Sequence, residues 1–298
     1  MRTREAMVPG NGRAADPDGT TAARFAQDGF AVLDGALTPA EVDRLRAETV
    51  AICRGERGQV ARAPALEPEW DDDAVLRRHL CVHYPHKLSA LVRDTLCHPA
   101  LVAALTEVIG PDVKAMQSML FIKSEGKPGQ AWHQDEFFIP TRDRSLTAAW
   151  IALDDATVEN GCLWVLPGSH RRGVLYPDRE QHDPRYDCTV ELYGFPYTEA
   201  DAVPVEMPAG SVLLFNGYLL HRSLPNSGRH GYRRALVGHY MSARSLLPWQ
   251  PPGPGEHMGQ ADFRDIVMVA GQDPYAYKGI ADIREPYVRP DREGGCDR

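Results

Sequence analysis

Apolar residues along the chain fall into two textures. Up to about residue 109 they recur at helical spacing, and after Pro111 they gather in short runs of strand length. Residues 21–29 read as a short helix closed by Gly29, and 30–33 as a first short strand. Thr38, Pro39 and Glu41 form a capping box with proline at the first helical position. Val42, Leu45 and Thr49 then carry that helix to about Cys53. Residues 55–80 mix proline, glycine and charge around Glu67–Asp73 and read as an irregular surface segment. Pro99 and the pair Gly110–Pro111 bracket a helix over 99–109. The first third is therefore expected to be helical with one strand.

Strands are predicted at 113–123, 148–153, 162–166, 211–215 and 234–241. The third follows the turn signal Asn160–Gly161 and stops at Pro167–Gly168. Many short strands with turn signals between them predict a sandwich or barrel. Residues 173–202 show little pattern, and so long a patternless stretch inside a domain suggests a lid or binding loop. Residues 1–20 read as a flexible tail, and residues 21–298 as one domain. From Pro248 the chain is rich in proline and glycine, then polar.

Composition narrows the classes. Apolar residues make up 43% and charged residues 25% of the 298, which is ordinary for a globular protein. A net charge of −8 argues against nucleic acid as a partner, so a small molecule is expected. No run approaches the roughly 20 apolar residues of a membrane span, and the first residues lack the apolar stretch of a signal peptide. A cytoplasmic location is the expectation. Six cysteines lie scattered with no CxxC pair and read as reduced, mostly buried thiols.

Of eleven histidines, only His133 is followed two positions later by an acid, Asp135. In an extended chain such residues point the same way and can reach one metal ion together. His221 lies 86 residues further on, after a Gly turn and an apolar run, as a ligand on a second strand would. Two histidines and a carboxylate match the facial triad of non-haem Fe(II) oxygenases, which leaves one octahedral face open for a bidentate keto acid and dioxygen. The far carboxylate of that acid needs a cation. Arg233, twelve residues after His221, fits the need, and Ser223 can add a hydroxyl. Arg234 is the neighbouring candidate but should face the other side of its strand. Among the remaining histidines, His170 reads as a structural turn cap and His239 as a satisfied interior residue. The cluster His79, His83 and His86 is not expected to hold metal, because Pro85 disfavours a continuous helix there.

Three stretches carry a family resemblance: Trp132-His133-Gln134-Asp135, the run from Glu159 to His170, and His221-x-Ser223 followed by Gly231-Tyr232-Arg233-Arg234-Ala235. Together they resemble the phytanoyl-CoA dioxygenase family from about residue 22 to 243. The resemblance implies a mainly β fold with flanking helices around a double-stranded β-helix (a jelly-roll, cupin-like core) over about 113–243. It implies Fe(II), 2-oxoglutarate and dioxygen (O2) as cofactor and co-substrates, with succinate and carbon dioxide released. His133, Asp135 and His221 match the iron ligands, Arg233 and Ser223 the residues on the distal carboxylate. Gln134, Trp150 and Met119 match positions lining the co-substrate pocket. The interval from His221 to Arg233 is one residue longer than is usual in the family. Asp135 stands where related halogenases carry a small residue, so the implied reaction is hydroxylation of a small metabolite or natural-product intermediate. Desaturation, epimerisation and ring formation use the same cofactor chemistry. If the fold holds, Tyr84, His86, Phe137 and Tyr218 lie near the mouth of the site. Two other readings stay open: a zinc metallohydrolase and a metal-binding module without turnover.

Overall fold

The computed structural model describes residues 20–247, 254–255, 257 and 262–289. The tail expected at 1–20 lies outside them except for Thr20, as do parts of the stretch after Pro248 and Cys296. The helices are α1 (Thr21–Asp28), α2 (Pro39–Cys53), α3 (Asp72–Arg77), α4 (Ala90–Leu96), α5 (Pro99–Val108) and the short α6 (Asp135–Phe138). The strands are β1 (Phe30–Leu33), β2 (Cys81–His83), β3 (Val113–Lys123), β4 (Gln130–His133), β5 (Thr147–Ala152), β6 (Leu163–Val165) and β7 (Asp178–Arg179). They continue with β8 (Glu191–Leu192), β9 (Val203–Val205), β10 (Val212–Asn216), β11 (His221–Ser223), β12 (Arg233–Ser242), β13 (Val267–Ala270) and β14 (Tyr287–Arg289).

Two sheets make the core, with every strand pair antiparallel. The larger runs β1-β10-β5-β12-β3-β2-β14, with β13 also on β3, and the smaller runs β4-β11-β6-β9. This is the expected mainly β, jelly-roll arrangement with helices on one side. Alternation divides the two faces of the larger sheet, with a shift of phase in β3 at a bulge between Ala115 and Gln117. Leu120, Ile122, Ile151, Leu214, Leu236 and Tyr240 face outward into a core shared with the helices. That core takes Phe25 from α1, Val42 and Leu45 from α2, Leu96 from α4 and Leu101 and Leu105 from α5. Met119, Trp150, Leu213, Ala235 and Val237 face inward toward the smaller sheet. The capping box on α2 forms as predicted, with Thr38 and Glu41 satisfying each other's backbone.

Several segments differ from expectation. The stretch read as irregular contains α3, capped by Asp71, whose side chain accepts from the Ala74 N–H. The helical first third holds a second strand, β2. The stretch 173–202 contains the small hairpin β7-β8. The polar C-terminal stretch is built into the sheet: β13 pairs with β3, and β14 pairs with β2. Lys87 pins this stretch by hydrogen bonds to Asp265 (2.5 Å), Asp282 (2.6 Å) and the Arg284 carbonyl. β2, β13 and β14, three or four residues each, carry too little alternation to be read, and their partners in the sheet lie far away in the chain. The cysteine expectation holds for Cys53, Cys81, Cys97 and Cys162, which are free, but Cys188 is disulfide-bonded. Among the described residues, no helix is long and apolar enough to cross a membrane.

Gly129 enters β4 against the backbone of β11, where a methyl group would collide with the Ser223 carbonyl oxygen. The obstacle is backbone held in a sheet, so it cannot swing aside. Gly129→Ala is expected to cost about 1–3 kcal/mol, the usual range for overpacking. Urea unfolding checks this, and a midpoint equal to wild type would refute the tight approach of the two strands.

Candidate metal centre and its cavity

His133 ends β4 and His221 opens β11, and the two residues are register partners across that pair. Gln134 stays extended (φ −129°, ψ 129°), so Asp135, the first residue of α6, returns to the same side as His133. Asp135 Oδ1 lies 3.6 Å from His221 Nε2 and 3.9 Å from His133 Nε2. One ligand atom from each of the three buried residues falls within 4.8 Å of the others.

The backbone sets the imidazole tautomers. His133 Nδ1 donates to the Ala131 carbonyl at 2.7 Å and His221 Nδ1 to the Leu219 carbonyl at 3.0 Å. A carbonyl only accepts, so each Nδ1 carries a proton, and Nε2 is the ring nitrogen that lies toward Asp135. Burial, with help from His221, pushes His133 down to about 3, so the ring is neutral. Burial acts to raise Asp135, but nearby His221 and a hydrogen bond from His239 outweigh it, and the carboxyl is held below its ordinary range. Two imidazole nitrogens and one carboxylate on a single face are the donor set of a divalent metal such as Fe(II), with half an octahedron left over.

His239 is the third imidazole here, and sequence reasoning undervalued it. Its Nε2 lies 3.2 Å from Asp135 Oδ2, on the oxygen facing away from the other two histidines. The signal was its place on β12, on the same face as Arg233 and six residues from it.

The centre opens into a cavity of about 630 Å³ between the two sheets. Arg233, Ser223, Trp150 and Met119 line it, as do Tyr84 and Phe137. His86 and Tyr218 do not; His86 bonds Ser118 Oγ instead. Gln134 is turned away from the cavity. Its amide donates to the Val174 and Tyr218 carbonyls and accepts from the Tyr176 N–H, tying the metal loop to the 173–202 stretch. Arg234 faces the other side of β12 and is bound twice by Asp154, at 2.8 and 2.7 Å. His170 bonds the Ala26 carbonyl of α1 at 3.1 Å, in keeping with a structural role. His79 bonds the Val75 carbonyl, so the His79–His83–His86 cluster is dispersed.

Arg233 is buried, which pushes its guanidinium down to about 10 and still leaves it charged at neutral pH. Its Nε donates to the Gly161 carbonyl at 3.1 Å, while its two Nη atoms make no hydrogen bond among the described residues. Beside it lies Lys123, a residue the sequence reading passed over. Lys123 Nζ donates to Ser223 Oγ (3.0 Å) and to the Leu224 carbonyl (2.7 Å). Ser223 Oγ also accepts from the Gln130 N–H at 3.2 Å. With both lone pairs of the hydroxyl taken, its hydrogen is left to donate into the cavity beside Arg233. The guanidinium and the hydroxyl together offer donors of the kind a carboxylate accepts.

Residues 25–235 match the model of the family described as phytanoyl-CoA dioxygenase (PhyH). The chain belongs to the phytanoyl-CoA dioxygenase family. It is 36% identical over 162 residues to the phytanoyl-CoA dioxygenase of Arabidopsis thaliana, covering 52% of this chain and 55% of that one. That match spans about half the length of the plant relative. It is 31% identical over 264 residues to the ectoine dioxygenase of Nocardia farcinica, covering 81% of this chain and 85% of the relative. Among solved structures, the apo form of the non-haem monooxygenase ThoJ superposes with a TM-score of 0.64 at 25% identity, covering 85% of each chain.

His239 fixes the orientation of Asp135 from outside the ligand set. Outer partners of metal ligands typically contribute about 10–100-fold in metal affinity. His239→Phe is therefore expected to weaken Fe(II) binding by about that factor, read by competition with a chelator. Unchanged affinity in a folded variant would show that the hydrogen bond to Asp135 does not position it.

Proposed function

We propose that the protein is an Fe(II)/2-oxoglutarate-dependent oxygenase that hydroxylates an unactivated C–H bond of a small metabolite or natural-product intermediate. The observation that carries this reading is one cavity holding both the His133–Asp135–His221 face and the Arg233–Ser223 carboxylate seat. A zinc metallohydrolase has use for the first but none for the second. The ectoine dioxygenase relative supports small-molecule hydroxylation as the class, and nothing in the cavity argues for ectoine itself.

Fe(II) held by His133, Asp135 and His221 would supply the redox chemistry that couples reduction of dioxygen to decarboxylation of the keto acid. The rest is positioning. Arg233 and Ser223 receive the distal carboxylate through charge-assisted hydrogen bonds, and Lys123 keeps the serine hydrogen aimed. Trp150 lies under the Arg233 guanidinium, 5.4 Å from ring centre to carbon, and with Met119 forms the dry wall beside the co-substrate chain. Residues 173–202 act as the cover. Thr189 lines the cavity, and Asp187 is paired with Arg289 of β14. A closed cover excludes water from the reacting centre.

Anaerobic titration of the Fe(II)-loaded protein with 2-oxoglutarate should produce a weak, saturable charge-transfer band in the visible region. Asp135→Ala should abolish it. Arg233→Ala should raise the apparent Kd about a hundredfold, as loss of one partner from a buried charge pair does. Lys123→Met, which leaves Arg233 in place and only frees the serine hydroxyl, should raise it about tenfold. No band from folded, iron-loaded wild type would sink the co-substrate reading. A band with normal affinity in Arg233→Ala would move the carboxylate seat elsewhere.

A further inference from the structure

Two parts of the cavity wall that lie far apart in the chain, the 173–202 stretch and β14, are fastened to each other by an ion pair. Arg289 Nη2 donates to Asp187 Oδ2 at 2.5 Å, and Asp187 is only 1% exposed. The other carboxylate oxygen is occupied as well. Asp187 Oδ1 accepts from the Thr189 N–H (3.0 Å) and from Thr189 Oγ1 (2.6 Å). Thr189 and Arg289 both line the cavity. Gln181 closes the turn by donating to the Asp187 and Thr189 carbonyls. The backbone meets the core at the start of β4, where the Asp187 N–H donates to the Gly129 carbonyl (2.9 Å) and the Gly129 N–H to the Arg185 carbonyl (2.8 Å). Cys188, the next residue, adds a covalent tie through its disulfide.

Register places the ion pair at the keto-acid end of the cavity. Arg289 stands opposite Cys81, and Cys81 opposite Phe121, so the three share one face of the sheet and the arginine reaches across a small neighbour. Its guanidinium comes to 5.2 Å from the centre of the Phe121 ring, and that of Arg233 to 6.0 Å from the same ring. Lys123 lies in the same neighbourhood. Burial holds its amine well below the ordinary range, Arg233 and Arg289 add to that, and Asp187 acts against it. Arg284, the third arginine of the lining, has its guanidinium over Phe263 at 5.6 Å. Asp135, the carboxylate of the lining, belongs to the metal.

A buried ion pair contributes little as a whole, because the cost of desolvating two charges offsets their attraction. Removing one partner is different, since the other charge is left buried and uncompensated. Without Arg289, Asp187 would keep the two neutral donors of Thr189. The turn that carries it belongs to the connection between β7 and β8, so lifting into water costs less than keeping the charge buried.

We propose that Arg289 and Asp187 are a positioning pair that holds the 173–202 cover closed over the Arg233 end of the cavity, and that the keto acid enters and leaves as this pair opens. The second half rests on the oxygenase reading above, and the first half does not.

The first readout is amide hydrogen exchange of residues 183–190 in the full chain without keto acid, before and after a phosphine reduces the Cys188 disulfide. With the disulfide reduced, Arg289→Met should exchange about a hundredfold faster there than wild type. Arg289→Lys, which keeps the charge, should restore most of the protection. Adding Asp187→Asn to Arg289→Met should change little further, because the two residues act as a unit. The second readout is the rate at which the charge-transfer band forms in anaerobic, Fe(II)-loaded protein at several 2-oxoglutarate concentrations. The slope gives the entry rate and the intercept the exit rate. Arg289→Met should raise both by a similar factor and leave Kd near that of wild type. Unchanged exchange in folded Arg289→Met, or protection lost from wild type on reduction alone, would overturn the proposal. A rise in the exit rate alone would also overturn it, by making Arg289 a direct partner of the keto acid. Faster exchange with both rates unchanged would send the keto acid by another route and overturn the gate. No band from wild type, with the exchange results as expected, would support the closing pair and count against the co-substrate reading alone.

Discussion

The structure is organised around one buried negative charge. Asp135 is 8% exposed and ionised, and its neighbours are three imidazoles, two of them held by backbone carbonyls with Nε2 toward it. An ionised carboxylate in such a place is expensive unless a cation compensates it. Two imidazole nitrogens turned to the same point leave a metal ion as the cation that satisfies all three groups. The register of β4 against β11, the extended Gln134 and the short α6 that follows all serve to hold that arrangement. The close contact of Gly129 with β11 is part of the same requirement.

A second constraint runs along β12. Arg233, Val237 and His239 lie on its inner face, so one strand reaches from the carboxylate seat to the outer side of Asp135. Pairing with β3 and β5 fixes the spacing between Arg233 at one end of the strand and the outer side of Asp135 at the other. Arg234, one residue along, is on the opposite face and bound to Asp154.

Much of this was legible in the chain, for a physical reason. His133, Asp135, Arg233 and the strand 233–242 obey period-2 alternation over enough residues for faces to be assigned, as does 113–123 on either side of its bulge. The family motifs then supplied the jelly-roll core. What could not be read depends on tertiary context. Gln134 was placed in the pocket by the family match, although alternation between His133 and Asp135 turns it out, and only the fold shows that it meets Val174 and Tyr176 there. His239 was legible as inward-facing, but its partner is 104 residues away. Lys123 closes a strand of apolar inward residues, and only the approach of β11 reveals that it serves Ser223. Tyr287 and Arg289 stand on a three-residue strand inside a polar stretch, where no local pattern marks a cavity wall.

The placement of β14 has a bearing on how the protein comes into being. Every group assigned to metal and keto acid lies between Met119 and His239, whereas the wall carrying Tyr287 and Arg289 is added from the last described stretch. A ribosome therefore finishes the metal centre before it supplies the surface that closes the cavity. Along this chain, the residues assigned to metal and keto acid and the wall that carries Tyr287 and Arg289 are encoded in succession.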